Sequence, residues 1–223
     1  MNYSYSVNND QGVIRMLSNT VDSDINSYKN DSDPLLSIVW NRGKKQRVRV
    51  DDHTITCEEN EVLVFNKLQI FRFSSYENLI IWQFNRPFYC IIDHDHEVSC
   101  AGLLFFGSRQ LPKIKLAGRD LDRFYLLQSV FREEFEEEDD NLKTEMLRML
   151  LKRLIVKLTR LYKNQQHLNQ LATEEMDLVR NFNVLVEKHY KSKHQVQDYA
   201  DLLNKSPKTI SNLFVKYGGE TPL

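Results

Sequence analysis

The chain has 223 residues, of which 41% are hydrophobic and 27% charged, and a formal net charge of -1. That length suits a domain, a connector and a smaller second unit. No apolar run approaches the roughly 18–20 residues of a membrane span. The three cysteines are odd in number and unevenly spaced, which excludes a secreted disulfide framework, and seven glycines leave little for a phosphate cradle.

Residues 1–33 are rich in Asn, Ser and Asp and lack the apolar core of a signal peptide. The expectation is a flexible or partly ordered N-terminus on a cytoplasmic protein with no membrane partner. From residue 34 to 118 the pattern is β. Leu36–Trp40 is an apolar-rich strand and Gln46–Val50 alternates strictly. Ile55 and Cys57 lead to a turn at Glu58–Glu61, followed by Val62–Phe65, Ile70–Phe73, Leu79–Phe84 and the later run Leu103–Phe106. Short strands at roughly 8–12-residue spacing predict a sandwich or small barrel.

Within this zone, Phe88–Gly102 gathers Cys90, Asp93, His94, Asp95, His96, Glu97 and Cys100. Alternate strand residues share a face, so His94 and His96 can share an ion. Cys90, His94, His96 and Cys100 are the candidate ligands of a regulatory Zn²⁺ or redox site; a solvated polar loop with semi-buried cysteines is the other reading, and no cofactor is required.

Residues 119–164 read as helical. Leu121, Phe124, Leu127 and Phe131 line one face, and the acidic run Glu133–Asp140 marks the helix end or a bend. Leu147, Leu151, Leu154, Leu158 and Leu161 follow at spacings of 4, 3, 4 and 3, the a/d seam of a coiled coil or helix pair. The same stripe packed against its own β domain is the alternative. Residues 165–174 form a polar linker, and Leu178, Phe182, Leu185 and Val186 open the last unit, 175–223.

That unit carries the most information. Val196, Tyr199, Ala200 and Leu203 fall on one face of a short helix. Asn204 tolerates the left-handed conformation of a helix exit. Ser206-Pro207 restarts, with Ser as N-cap and Pro at the first helical position. Ile210, Leu213, Phe214 and Tyr217 then repeat the spacing before Gly218-Gly219. Two short helices around a tight turn make a helix-turn-helix, whose second helix can enter a DNA major groove; a helical hairpin with no DNA role has the same periodicity. Lys205, Ser206, Lys208, Thr209, Ser211, Asn212 and Lys216 are the candidate DNA contacts, short polar and basic groups with no carboxylate among them.

The run VQDYADLLNKSPKTISNLFVKYGGETPL resembles the first helix-turn-helix of AraC-type transcriptional regulators, as found in Bacteroides-like sequences. The likeness rests on the Ala200 helix, the Ser206-Pro207 start, Ile210–Phe214 and the Gly219-x-Thr221-Pro222 exit. Lys205 departs from the apolar residue usual there. Family members continue into a second helix-turn-helix, so this unit reads as truncated. The block EENEVLVFNKLQIFRF is similar to the second half of a cupin, the jelly-roll sensor of many such regulators.

The resemblance implies an α+β multidomain protein: a cupin-like sensor (34–118), a helical dimerisation segment (119–164), and an incomplete helix-turn-helix (175–223). It implies a sequence-specific regulator that binds double-stranded DNA, pairs as a homodimer through the leucine seam, and answers to a small-molecule effector. The alternatives are a metal-binding cupin enzyme, or a ligand-binding or dimerising fragment with no DNA-binding activity of its own. His94-x-His96 is similar to the first metal motif of cupin enzymes. The second-motif histidine, however, would align near Phe71, which cannot ligate. No G-x-S-x-G, P-loop, G-x-G-x-x-G or H-E-x-x-H motif is present, so the expectation is not an enzyme.

Overall fold

The computed structural model describes residues 1–7, 11–20, 25, 35–67, 69–90, 104–105, 111–140, 142–166, 170–189 and 191–218. The strands are β1 (Asn2–Val7), β2 (Gly12–Ser18), β3 (Leu36–Asn41), β4 (Gln46–Val50), β5 (His53–Cys57), β6 (Glu61–Phe65), β7 (Phe71–Phe73), β8 (Leu79–Phe84) and β9 (Lys113–Lys115). The helices are α1 (Gly118–Glu136), α2 (Lys143–Gln165), α3 (Gln170–His189), α4 (Val196–Leu202) and α5 (Pro207–Gly218). The chain divides into two compact units, one of residues 1–91 and 113–158, the other of 92–112 and 159–223.

The first unit contains two antiparallel sheets, a six-stranded one in the order β1-β2-β8-β3-β6-β9 and a three-stranded one in the order β5-β4-β7. Turns rely on Asn and Asp in the left-handed region, among them Asp51 between β4 and β5 and Asn60 before β6. The inner faces meet through aromatic side chains: Phe65 of the large sheet stacks on Phe71 of the small one at 4.0 Å between ring centroids. Fully buried Asn41 fastens two turns. Its amide donates to the carbonyls of Lys44 and Glu58, and its Oδ1 accepts from the Gly43 amide.

Strands β3, β6 and β8 are buried along their whole length, so the other face of the large sheet is covered too. Register aligns apolar rows across it, Met16–Trp82–Ile38–Val64 and Ile80–Trp40–Val62–Ile114. Helix α1 lies over these rows. Phe124 meets Trp40 edge-on at 6.0 Å and Phe131 meets Trp82 at 5.8 Å. Asp120 at the start of α1 is tied to Lys157 of α2 at 2.5 Å. The turn between the helices is held from the sheet edge. The Tyr3 hydroxyl donates to Glu136, Tyr5 donates to Asp139 at 3.0 Å, and Asp140 caps α2 by accepting from the Lys143 amide at 2.8 Å. Buried Lys143 donates to the carbonyls of Phe135 and Glu137, capping the end of α1.

Several sequence expectations are corrected. In the N-terminal zone, where the sequence reading named no strand, the structure has β1 and the nearly all-buried β2; the polar Asn-Tyr-Ser-Tyr-Ser-Val of β1 hides its alternation because its inner residues are tyrosines. Leu104 and Phe105, read as strand, are helical. Helices run to Gln165 and from Gln170, so the linker read at 165–174 is helical at both of its ends. Residues 113–158 belong to the same compact unit as the sheets rather than to a separate segment. The leucine seam is the main correction. Leu147, Leu151, Leu154 and Leu158 are each 0% exposed in the lone chain, and Leu161 is half-buried. The stripe is used inside the fold and is not a free dimer surface.

Two outcomes follow. Leu154→Glu places a carboxylate in that interior, costing about 3–5 kcal/mol, and gives unfolded or aggregated protein in circular dichroism and light scattering rather than a folded monomer. Asp120 has a carboxyl held below its ordinary value of 3.8, chiefly by the hydrogen bond from Lys157. A depressed folded value contributes stability above that ordinary value and loses it as pH falls through the folded one. The melting temperature lost in Asp120→Asn is therefore full at pH 7 and vanishes in acid below the ordinary aspartate value.

Candidate nucleic-acid interface

In the second unit the two short helices α4 and α5 pack on α3. Phe182 of α3, Tyr199 and Ala200 of α4 and Ile210 of α5 form its buried cluster, with Leu178, Leu185, Val196, Leu203 and Phe214 packed around them. Phe182 touches Tyr199 at 5.2 Å and Phe214 at 5.0 Å between centroids. Ala200 is fully buried, as close helix approach requires. Helix α4 begins with a reciprocal cap in which the Gln195 side chain and Asp198 each satisfy the other's backbone amide. Sequence reasoning missed it because Gln stands where Ser or Thr usually does. The Tyr199 hydroxyl donates to the Lys193 carbonyl at 2.7 Å, and burial, then the Asp198 charge, raises its pKa above the usual tyrosine value.

The turn forms as its residues dictate. Asn204 sits at φ 51, and the Lys205 amide donates to the Ala200 carbonyl at 3.0 Å. Ser206 Oγ accepts from the Thr209 amide at 3.1 Å, capping α5, and shares a 2.9 Å hydrogen bond with the Thr209 hydroxyl. Ile210 and Leu213 turn inward.

The structure sorts the seven expected DNA contacts by position. Lys208, Thr209 and Asn212 are exposed and Ser211 is half-buried beside them. Lys208, Asn212 and Val215 lie at i, i+4 and i+7, and Val215 is 59% exposed. Lys205 is exposed in the turn, while the Ser206 hydroxyl is occupied by its capping role. Lys216 reaches back to Glu175 of α3 at 2.5 Å, so it braces α5 as well as facing solvent.

The first unit carries a polar ladder on the inner face of its large sheet. Arg15, Gln83 and Ser37 stand side by side on β2, β8 and β3; Arg15 Nη1 donates to Gln83 Oε1 at 3.4 Å and Gln83 Nε2 to Ser37 Oγ at 3.2 Å. All three are buried. Ser37 and Gln83 also line a cavity of about 190 Å³, together with Lys67, Gln69 and Phe71.

Of the metal candidates, only Cys90 is described, as half-buried; His94, His96 and Cys100 lie outside the described residues. Among the described residues no group of three His, Cys, Asp or Glu side chains could hold an ion. Burial, with the charge of Glu61, pushes the Cys57 thiol up to about 12, so it is no ready nucleophile. Among the described residues no helix is long and apolar enough to cross a membrane.

No family model and no curated protein matches the chain. Among solved structures it is similar to ToxT from Vibrio cholerae, at 11% identity over 100% of this chain and 95% of that one, with a TM-score of 0.36. It is also similar to the AraC-like transcriptional activator CuxR, at 12% identity over 93% of this chain and 68% of that one, with a TM-score of 0.37. Likeness at this level carries no function from either protein to this one.

The turn tests the local reading. Asn204→Val forces a β-branched residue into the left-handed region and costs about 1–2 kcal/mol, whereas Asn204→Gly stays near the parent in thermal melts.

Proposed function

We propose that the chain is a sequence-specific DNA-binding transcriptional regulator of AraC type, its activity set by a small-molecule effector held in the β sandwich. The observation that carries this reading is the exposed face of α5. Lys208, Asn212 and Val215 point one way from a helix whose opposite face is locked onto α3 and α4. A lysine, an amide and a small apolar group are chemistry for a phosphate, an adenine edge and a thymine methyl. No carboxylate lies on that helix to repel a phosphate backbone.

On this reading the effector enters the cavity beside Ser37, Lys67 and Gln83, where buried polar groups can trade partners with a ligand. Its binding shifts a two-state equilibrium that changes how DNA is engaged. A homodimer remains part of the proposal, but the buried leucines are not its contact. The apolar side chains left exposed on α1 and α2, Leu126, Met146 and Met149, are the ones to alter when oligomeric state is measured.

Fluorescence anisotropy on a duplex selected by the chain from a random library tests the DNA assignment. Asn212→Ala relaxes preference at one base position by about 1–3 kcal/mol. Lys208→Ala weakens binding evenly across sequences and lowers the salt slope by about 1. If both variants bind like the parent, α5 does not read DNA.

A further inference from the structure

The outer face of the small sheet bears a feature that DNA reading leaves unused. Alternation along β4 and β7 sends Val48, Val50, Phe71 and Phe73 inward and Arg47, Arg49 and Arg72 outward. Register sets Arg49 directly opposite Arg72, and on the other side opposite Thr54 of β5. Like charges placed directly across an antiparallel pair are destabilising. The strands present no carboxylate on that face; its other outward positions are Thr54 and Thr56.

Beside the arginine pair lies an open cavity of about 460 Å³ lined by Arg49, Asp51, Asp52, Ile70 and Arg72. Its wall is braced in advance. Asp51, at φ 49, donates its amide to the Ile70 carbonyl at 2.8 Å and accepts the Ile70 amide on Oδ1 at 2.9 Å. Arg49 Nε donates to the Asp51 carbonyl at 3.3 Å, which leaves its terminal nitrogens directed by the same turn. Ile70 is 68% exposed, an apolar surface at the cavity edge between charged groups.

These parts have complementary uses. Two guanidinium forks suit a phosphate, which each can engage bidentately. An exposed isoleucine suits the face of a ring, and the carboxylates of Asp51 and Asp52 suit hydroxyl or amino donors. The volume is that of a small-molecule site. We propose that this cavity binds a phosphorylated small molecule, its phosphate between Arg49 and Arg72 and its donor-bearing body over Ile70 toward Asp51 and Asp52. A nucleotide and a sugar phosphate share that chemistry. A continuous nucleic-acid backbone fits less well, because two carboxylates close one side.

Isothermal titration of the full chain with inorganic phosphate, adenosine 5′-monophosphate, glucose 6-phosphate, adenosine and glucose tests it. One phosphorylated organic probe binds more tightly than inorganic phosphate, and its unphosphorylated counterpart gives no heat; which of the two probes binds separates nucleotide from sugar phosphate. Arg49→Gln and Arg72→Gln each weaken that probe by about tenfold, the scale of one charge-assisted contact. Asp52→Asn weakens the organic probe but not inorganic phosphate. Circular dichroism of both variants checks that they fold as the parent does. The proposal is overturned if no phosphorylated probe binds the parent, if the glutamine variants bind like it, or if adenosine or glucose binds equally well. It is also overturned if only duplex DNA responds, with a lower salt slope in Arg49→Gln, since the face is then a nucleic-acid contact.

Discussion

Two-sided burial of the central strands is the constraint from which the first unit follows. Strands β3, β6 and β8 are buried at every position and mostly apolar, so neither face of the large sheet meets water there. One face is closed by the small sheet through the Phe65, Phe71 and Phe73 rings. The other presents Trp40 and Trp82, and an amphipathic helix is the element that covers such a surface. Helix α1 does so with Phe124, Leu127 and Phe131, and the leucines of α2 are buried inside the chain as well. A stripe that looks available for a partner is consumed by the fold, because burying it internally removes apolar area from water without the cost of association.

The second unit depends on a single anchor in the same way. Phe182 contributes an aromatic contact to α4 and another to α5, so the three helices share one core. Helices as short as α4 and α5 are marginal alone. Here caps at Gln195 and Ser206 and the left-handed Asn204 fix where each begins and ends. The result is a rigid base for α5, which frees Lys208 and Asn212 from structural duty. Ser206 and Lys216 differ: one caps the helix and the other braces it against Glu175.

Legibility in the sequence followed the strength of the local pattern. Strands β4 and β8 are readable residue for residue, one from strict alternation and the other from a continuous apolar run bounded by polar residues. The pair of short helices α4 and α5 is equally readable, since Asn204, Ser206 and Pro207 each have few conformations to choose from. Strand β1 was hidden because tyrosine and serine alternate there in place of an apolar and a polar residue, and the acceptors of its tyrosine hydroxyls lie far along the chain at Glu136 and Asp139. For Leu151 and Leu154 the spacing left two readings open, a dimer seam or packing inside the chain. An a/d spacing states that a stripe must be buried but not by what, and their burial in the lone chain is a tertiary fact. The Arg49–Arg72 pairing was invisible for a related reason: register between distant strands is a tertiary fact.

The central claim is that α5 is the surface that meets DNA while the leucine-bearing helix stays inside the fold. Amide hydrogen exchange of the whole chain, with and without a bound duplex, addresses both halves at once. DNA should slow exchange at the start of α5 and in the turn before it, around 204–212, and leave the already protected amides of 147–158 unchanged. Protection confined to the sheets or to α2, with 204–212 exchanging as in the free protein, would contradict the account.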